Sequence, residues 1–208
     1  IEFILSQLNN EEFERLLDIG CGDGRLVYEI NKEYKGKQIH GIDYSLRAIN
    51  LAKAMNPSGK YTHVDLTEND FTDEKQYDIA LLIEVFEHIP PEKADRFLSS
   101  LRNTLKENGI LLMTVPHINK PLEEHHFRHF SSSDIKSALE KHFTIDKILY
   151  FEANTWMMRF IKKVLSNKYI ILRHQRLLNF IYGFYKRNIF PVSNESKCSR
   201  LYVRAIAK

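Results

Sequence analysis

Apolar residues recur at two alternating spacings along about the first 150 positions of the chain. Short runs rich in Val, Ile, Leu and Tyr have the composition of strands, and the stretches between them repeat apolar residues as amphipathic helices do. This alternation is typical of a parallel sheet with helices on both faces. The runs predict strands over 15–20, 37–43, 61–66, 77–83, 109–115, 143–152 and 200–208.

Residues typical of helix ends stand between these runs. Ser45 can cap a helix that starts at Leu46, and Ser131 followed by Asp134 has the spacing of a capping box. Pro91 can open a helix that continues until Gly109. The sequence therefore predicts one α/β domain over residues 1–208, with a doubly wound, mostly parallel sheet of seven strands whose last strand is antiparallel.

Composition narrows the class of protein. The 208 residues, 43% of them hydrophobic, suffice for one large core and seldom for two. No apolar stretch approaches the about 20 residues that span a bilayer, and the first residues lack the pattern of an export signal. We expect a cytoplasmic protein, with peripheral attachment to a membrane as the alternative. Cys21 and Cys198 lie far apart, which argues against a disulfide framework or a cysteine-rich zinc site.

The net charge of +3 is unevenly distributed. Residues 153–194 contain no Asp or Glu and carry eight of the 30 Lys and Arg residues, so the rest of the chain is net acidic. We expect this segment to form a helical insertion between the last two strands that covers the site. Its basic and aromatic residues, from 156 to 190, suit an anionic membrane surface, single-stranded RNA or simple packing against the core.

Glycines and acids follow the predicted strands, where open α/β sheets bind their ligands. They are Asp18, Gly20, Gly22, Gly24, Asp43, Asp65 and Glu84. The spacing Gly-x-Gly-x-Gly is followed by Arg25, where a dinucleotide-binding fingerprint would have a third glycine. A row of carboxylates would repel a pyrophosphate and suits a ligand with a positive charge, such as S-adenosylmethionine.

Five segments resemble the motifs of class I S-adenosylmethionine-dependent methyltransferases, over about residues 14–152. They are LLDIGCGDG, GIDYS, HVDL, YDIALLIEVFEHI and LKENGILLMTVP. The resemblance implies a Rossmann-like fold, S-adenosylmethionine as the cofactor and methyl transfer as the activity. It implies a cofactor site formed by Asp18, Gly20, Cys21, Gly22, Gly24, Asp43, Tyr44, Asp65, Leu66 and Glu84.

The resemblance also implies a role for several of these positions. The glycines let the backbone pass close to the methionine moiety, and Asp18 lies near its amino group. Asp43 accepts hydrogen bonds from the ribose hydroxyls. Asp65 and Leu66 frame the adenine.

The segment IEVFEHIP ends the fourth predicted strand with Glu84 and continues with Glu87 and His88. A helical turn there would place all three on one face. The Glu-x-x-Glu-His spacing is similar to a signature of several methyltransferase branches, among them enzymes that methylate the 2′-hydroxyl at the 3′ end of small RNAs and the O-methyltransferases of ubiquinone biosynthesis. In those branches the two acids and the histidine, with a histidine after the fifth strand, can hold a divalent metal. Here His125 or His126 stands in that region.

This resemblance implies Glu87, His88 and His126 as catalytic residues, and Glu84, Glu87, His88 and His126 as candidate metal ligands. Three interpretations stay open for the segment. It can hold a metal, His88 or His126 can act as a general base without one, or the residues can orient the entry to the next helix.

The function that the sequence favours is O-methylation of a small-molecule, glycan or lipid-linked hydroxyl acceptor. RNA 2′-O-methylation with a divalent metal is an alternative, although HHFRHF matches the small-RNA family only in part. A non-catalytic module that binds S-adenosylmethionine is the third hypothesis.

Overall fold

The computed structural model of the protein describes residues 1–155 and 175–208. The strands of its sheet are β1 (Arg15–Ile19), β2 (Gln38–Asp43), β3 (Lys60–His63), β4 (Tyr77–Ile83), β5 (Leu105–Pro116), β6 (Phe143–Ala153), β7 (Pro191–Val192) and β8 (Cys198–Ala207). The α-helices in the described ranges are α1 (Glu2–Leu8), α2 (Arg25–Glu33), α3 (Leu46–Met55), α4 (Ala94–Thr104), α5 (Ser132–Leu139) and α6 (Gln175–Asn188).

The sheet has the strand order β3-β2-β1-β4-β5-β8-β6-β7. β1 pairs in parallel with β2 and β4, and parallel pairing continues to β3 on one side and to β5 on the other. β8 runs antiparallel to both β5 and β6. The predicted doubly wound, mostly parallel sheet with an antiparallel last strand is confirmed. The strand beyond the predicted seven is the two-residue β7, which pairs with the edge of β6.

Helices cover both faces of this sheet. On one face α4 and α5 bury residues such as Phe97 and Ile135 against the central strands. On the other face α1, α2 and α3 bury Leu8, Ile30 and Ile49. The apolar stripes that the sequence repeats at helical spacing are the surfaces that make these two contacts.

Two predicted element ends were wrong. The third strand ends at His63, so Asp65 and Leu66 lie in the loop after it. The fourth helix ends at Thr104 and not near Gly109, because β5 already starts at Leu105. Asn108 in β5 has a φ of +59°, a conformation that Asn tolerates better than most residues, and the pairing of β4 with β5 shifts register nearby.

The predicted helix starts are mostly present. The side chain of Ser45 accepts a hydrogen bond from the backbone of Ala48 at 3.3 Å, and α5 begins with the capping box of Ser131 and Asp134. Pro91 opens a short 3-10 turn, after which α4 begins at Ala94.

The predicted helical insertion over 153–194 falls only partly on the described residues, because 156–174 lie outside them. The second half of the insertion contains α6. None of the helices within 1–155 and 175–208 has the length and apolarity needed to cross a membrane.

Candidate active site

A cavity of about 650 Å³ opens at the carboxyl ends of β1, β2 and β4. The chain winds outward in opposite directions from β1 and β4, so the cavity occupies the switch point where open α/β sheets bind ligands. His88 lines it. Six of the predicted cofactor residues also line it: Gly20, Asp43, Tyr44, Asp65, Leu66 and Glu84.

The glycine loop after β1 folds back onto the end of β2. The amides of Gly20 and Cys21 both donate to the carbonyl of Ile42, at 2.8 and 3.0 Å. A Cβ on Gly20 would lie 2.4 Å from a methyl carbon of Val85, and the φ of +74° is one that L side chains rarely adopt. Glycine is therefore required there. The side chain of Cys21 lies in the core beneath the loop, and Cys21 does not line the cavity.

Asp43 is fixed at the end of β2 by two backbone donors. Its Oδ2 accepts from the amide of Gly22 at 2.9 Å, and its Oδ1 accepts from the amide of Ser45 at 2.8 Å. Each carboxylate oxygen keeps a further lone pair. Asp43 can therefore accept both hydroxyls of a ribose without moving. Gly22 and Gly24 do not line the cavity, and they contribute by shaping the loop that holds this carboxylate.

Asp18 is a buried carboxyl beneath the glycine loop. It is 3% exposed, and its Oδ2 has no hydrogen-bond partner among the described residues. Burial, and then the charge of Asp43, raises the pKa of Asp18 to about 7. A buried carboxylate without a donor is costly, and a cationic group on a ligand would offset that cost. The site therefore fits the ammonium and sulfonium of S-adenosylmethionine.

The loop after β3 closes another side of the cavity. The amide of Val64 donates to the carbonyl of Asp43 at 3.0 Å, and Oδ1 of Asp65 accepts from the amide of Thr67 at 2.8 Å. Leu66 is buried behind the loop, whereas Tyr44 is 72% exposed. Apolar walls beside a fixed carboxylate suit a flat base such as adenine.

Glu84 follows β4 in the left-handed conformation, with a φ of +55°. Its Oε2 accepts from Nε of Arg200 at 2.9 Å, and Nη1 of Arg200 donates to Glu152 at 2.7 Å. The other carboxylate oxygen of Glu84 is buried with no hydrogen bond in the described part of the chain. Sequence reasoning missed Arg200, because a cation at the start of the last strand belongs to no motif.

Glu87, His88 and His126 form a compact cluster. One potential metal-ligand atom from each lies within 4.8 Å of the other two. The predicted helical turn is a 3-10 turn over Phe86–His88. Glu84 is paired with Arg200, and the third residue beside Glu87 and His88 is His126. Glu87 is 1% exposed, and neither of its carboxylate oxygens has a partner in the described ranges. Burial raises the pKa of Glu87 to about 8.

Backbone carbonyls set the tautomers of the two cluster histidines. Nδ1 of His88 lies 2.9 Å from the carbonyl of His125, so Nδ1 carries a proton. In this tautomer of the neutral ring, Nε2 carries the lone pair. Nδ1 of His129 donates to the carbonyl of Lys120 at 3.0 Å, which leaves its Nε2 to accept from Nδ1 of His126 at 2.8 Å. Burial lowers the pKa of His126 and so favours its neutral form.

The cluster thus presents two imidazole acceptors, Nε2 of His88 and Nε2 of His126, beside a carboxyl that its raised pKa keeps protonated at neutral pH. Two imidazole nitrogens and a buried carboxylate can bind a divalent cation or take up a proton from a bound molecule. His125 does not join the three, although its side chain lines the cavity. Sequence reasoning did not identify His129 as the residue that orients His126, and the three-residue spacing between the two was the signal that could have done so.

Residues 17–111 match the family model described as a methyltransferase domain. The chain is 29% identical to N-methyltransferase 4 of Papaver somniferum, with 54% of this chain and 32% of that protein aligned. It is 30% identical to the ubiquinone biosynthesis O-methyltransferase of Rickettsia bellii (strain OSU 85-389), with 55% and 47% aligned. The chain therefore spans about a third to a half of the length of these curated relatives.

A solved structure gives the same fold. The N-methyltransferase NodS from Bradyrhizobium japonicum, in complex with S-adenosyl-L-homocysteine, superposes with a TM-score of 0.64 at 13% identity. The superposition covers 99% of this chain and 84% of that one. The chain has the α/β Rossmann-like methyltransferase fold, with a mixed sheet whose C-terminal strands are antiparallel.

Proposed function

We propose that this chain, which carries a class I S-adenosylmethionine-dependent methyltransferase domain, methylates a hydroxyl group of a small-molecule or lipid-linked acceptor. The observation that most supports the proposal is the cluster of Glu87, His88 and His126, in which neither oxygen of Glu87 has a partner in the described ranges. His88 belongs to this cluster and also lines the cavity that contains Asp43 and Gly20. A methyl donor and an acceptor can therefore meet beside His88.

The residues of the cavity have complementary roles toward the donor. When bound, S-adenosylmethionine supplies an electrophilic methyl group on a positively charged sulfur. Asp43 would accept the ribose hydroxyls, and Asp18, which lies beneath the glycine loop and is not part of the cavity lining, would attract the ammonium group. Asp65 and Leu66 would border the adenine. The carboxylate of Glu84, held by Arg200, adds negative charge at the same edge of the sheet.

The cluster acts on the acceptor. A hydroxyl must lose its proton as its oxygen bonds to the methyl carbon. The lone pair on Nε2 of His88 can accept this proton. In its ionised form, which a neighbouring positive charge favours, Glu87 would stabilise the imidazolium that forms on His88. The same three residues would also serve as ligands of a divalent cation, which would supply Lewis-acid activation of the hydroxyl.

The names of the relatives support oxygen or nitrogen as the methylated atom. The Rickettsia relative is an O-methyltransferase of ubiquinone biosynthesis, and the Papaver relative is an N-methyltransferase. Because these names cover both atoms, the acceptors to be tested include amines and RNA beside the hydroxyl acceptor that we propose.

Variants of the cluster test the proposal. Glu87→Gln and His88→Asn should lower the transfer of a radiolabelled methyl group by roughly 10²–10⁴, the effect of a lost general base. Their affinity for S-adenosyl-L-homocysteine, measured by titration calorimetry, should stay within about threefold of the parent value, because the cluster contacts the acceptor. The controls are Glu124→Gln, an exposed acid of the same segment as His126, and His142→Asn, whose ring is paired with an aspartate on α4.

The acceptor panel contains phenols and catechols, hydroxylated glycans, amines and RNA oligomers. Chelation that abolishes turnover, with recovery on adding divalent ions, would identify the metal-dependent form, and unchanged turnover would identify His88 as a base without metal. Full activity in both cluster variants would contradict the proposed roles. Binding of S-adenosyl-L-homocysteine with no turnover of any acceptor would favour a non-catalytic module.

A further inference from the structure

We propose that the outward face of α6 docks on an anionic lipid bilayer surface. Arg176, Leu177, Phe180, Phe184 and Arg187 recur at spacings of three and four residues and therefore share one side of this helix. Phe180 is 66% exposed and Leu177 is 42% exposed. An apolar stripe with an arginine at each end is the pattern of helices that lie in a membrane interface.

Contacts on the other sides of α6 keep this face directed outward. The hydroxyl of Tyr182 donates to Glu2 at 2.6 Å, and Nζ of Lys186 donates to the same carboxylate at 3.0 Å. The ring of Tyr185 packs edge-on against Phe190, and the amide of Phe190 donates to the carbonyl of Tyr185 at 2.9 Å. Since α1 and the residues before β7 bind these sides, Arg176, Phe180 and Arg187 stay exposed on the remaining side.

The charge of the segment indicates an anionic partner. α6 contains no acid, and Asp and Glu are absent from the whole of 153–194. Arg176 and Arg187 are exposed on the face itself. The phosphate-rich surface of an anionic leaflet attracts such cations, while its acyl boundary accepts apolar side chains.

The same residues disfavour two other occupants. A symmetric contact with a second copy of the chain would bring the arginines together without an acid on the face to pair with them. Single-stranded RNA is bound through aromatic rings on which bases stack, and Leu177 offers no such ring. A bilayer surface can contact all of these residues, because its acyl boundary accepts Leu177 and the phenylalanines while its headgroups bind the arginines.

Vesicle sedimentation with the full chain tests the proposal. The probes are vesicles of phosphatidylcholine alone and of phosphatidylcholine with phosphatidylserine, at low and high salt, and RNA oligomers are tested in a parallel binding assay. Because each interfacial cation contributes about a fivefold change in binding, Arg176→Glu/Arg187→Glu should weaken association with the anionic vesicles by at least about 25-fold. Phe180→Ser should weaken association with the same vesicles while leaving its salt dependence unchanged.

The matched control is Lys32→Glu/Lys53→Glu, which makes the same change in net charge at exposed positions of α2 and α3. It should bind vesicles as the parent does, and circular dichroism melts should show that all variants fold. Equal losses in this control and in the α6 variant would show that only net charge matters and would overturn the proposal. So would unchanged binding of the α6 variant, no binding by the parent, or binding to RNA oligomers in place of vesicles. The assay contains no methyl donor or acceptor, so its result is independent of the proposed function.

Discussion

Replacing Asp18 with Asn should flatten the dependence of protein stability on pH. Burial and the charge of Asp43 raise the pKa of Asp18 from 3.8 to about 7. Because the folded-state pKa is the higher one, the stability from this carboxyl is fully present below the unfolded pKa and is lost as the pH rises through the folded pKa. From about pH 5 to pH 7 the folded protein keeps a proton that the unfolded chain has released, which costs about 3 kcal/mol at about 1.4 kcal/mol per pH unit.

Urea titrations at about pH 5 and pH 8 measure this difference. Any cost of burying the introduced amide in the Asp18→Asn variant is the same at both pH values and cancels when the two are compared. We expect the parent to lose about 3 kcal/mol more of its free energy of unfolding over this range than the variant does. Equal losses in the two proteins would refute the assignment.

The same substitution should change ligand binding. S-adenosyl-L-homocysteine carries the ammonium group that we assign to Asp18, so the parent should bind it more tightly at about pH 8 than at about pH 5, as the carboxyl ionises. The Asp18→Asn variant should lose this dependence in titration calorimetry. A variant that keeps the pH dependence of the parent would place the ammonium elsewhere.

Three further predictions concern the residues that shape the cavity. Arg200→Gln removes the partner of Glu84 and a hydrogen-bond donor to the buried Glu152, and it should cost about 1–3 kcal/mol of unfolding free energy, part of which Glu84→Gln should restore in the double variant; strict additivity in the urea cycle would contradict the pairing of Glu84 with Arg200. Gly20→Ala should lower the melting temperature more than Gly36→Ala, since both have positive φ but only Gly20 has a side-chain atom 2.4 Å from the added Cβ, and equal shifts would argue against that close contact. Asp43→Ala should weaken the binding of S-adenosyl-L-homocysteine by about 1.5–3 kcal/mol in calorimetry, and an unchanged affinity would remove it from the ribose site.

The positions of the strand-end residues were predictable from local pattern. Apolar runs in a parallel sheet stop where the chain turns, and a parallel sheet gathers those turns at one edge. Asp43 and Glu84 follow directly after such runs, so their place at the cavity needed no knowledge of distant contacts. The capping box before α5 was likewise a matter of neighbouring residues.

Features that depend on distant residues were not predictable. Glu84 and Arg200 are 116 residues apart, and their pairing depends on how β8 inserts between β5 and β6. The orientation of His126 depends on His129 and on the carbonyl of Lys120, which a loop brings together. No spacing in the sequence indicates the pair of Glu84 and Arg200, and the three-residue spacing of His126 and His129 does not show that the carbonyl of Lys120 orients the ring of His129. Both arrangements decide which side chains can act at the site.

A crystal structure of the protein with S-adenosyl-L-homocysteine is the most direct test of the central claim. We predict the ribose hydroxyls on Asp43, the ammonium group beside Asp18, and the thioether sulfur facing Glu87, His88 and His126. A ligand bound outside this cavity, or one whose sulfur turns away from the cluster, would contradict the account of methyl transfer at this site.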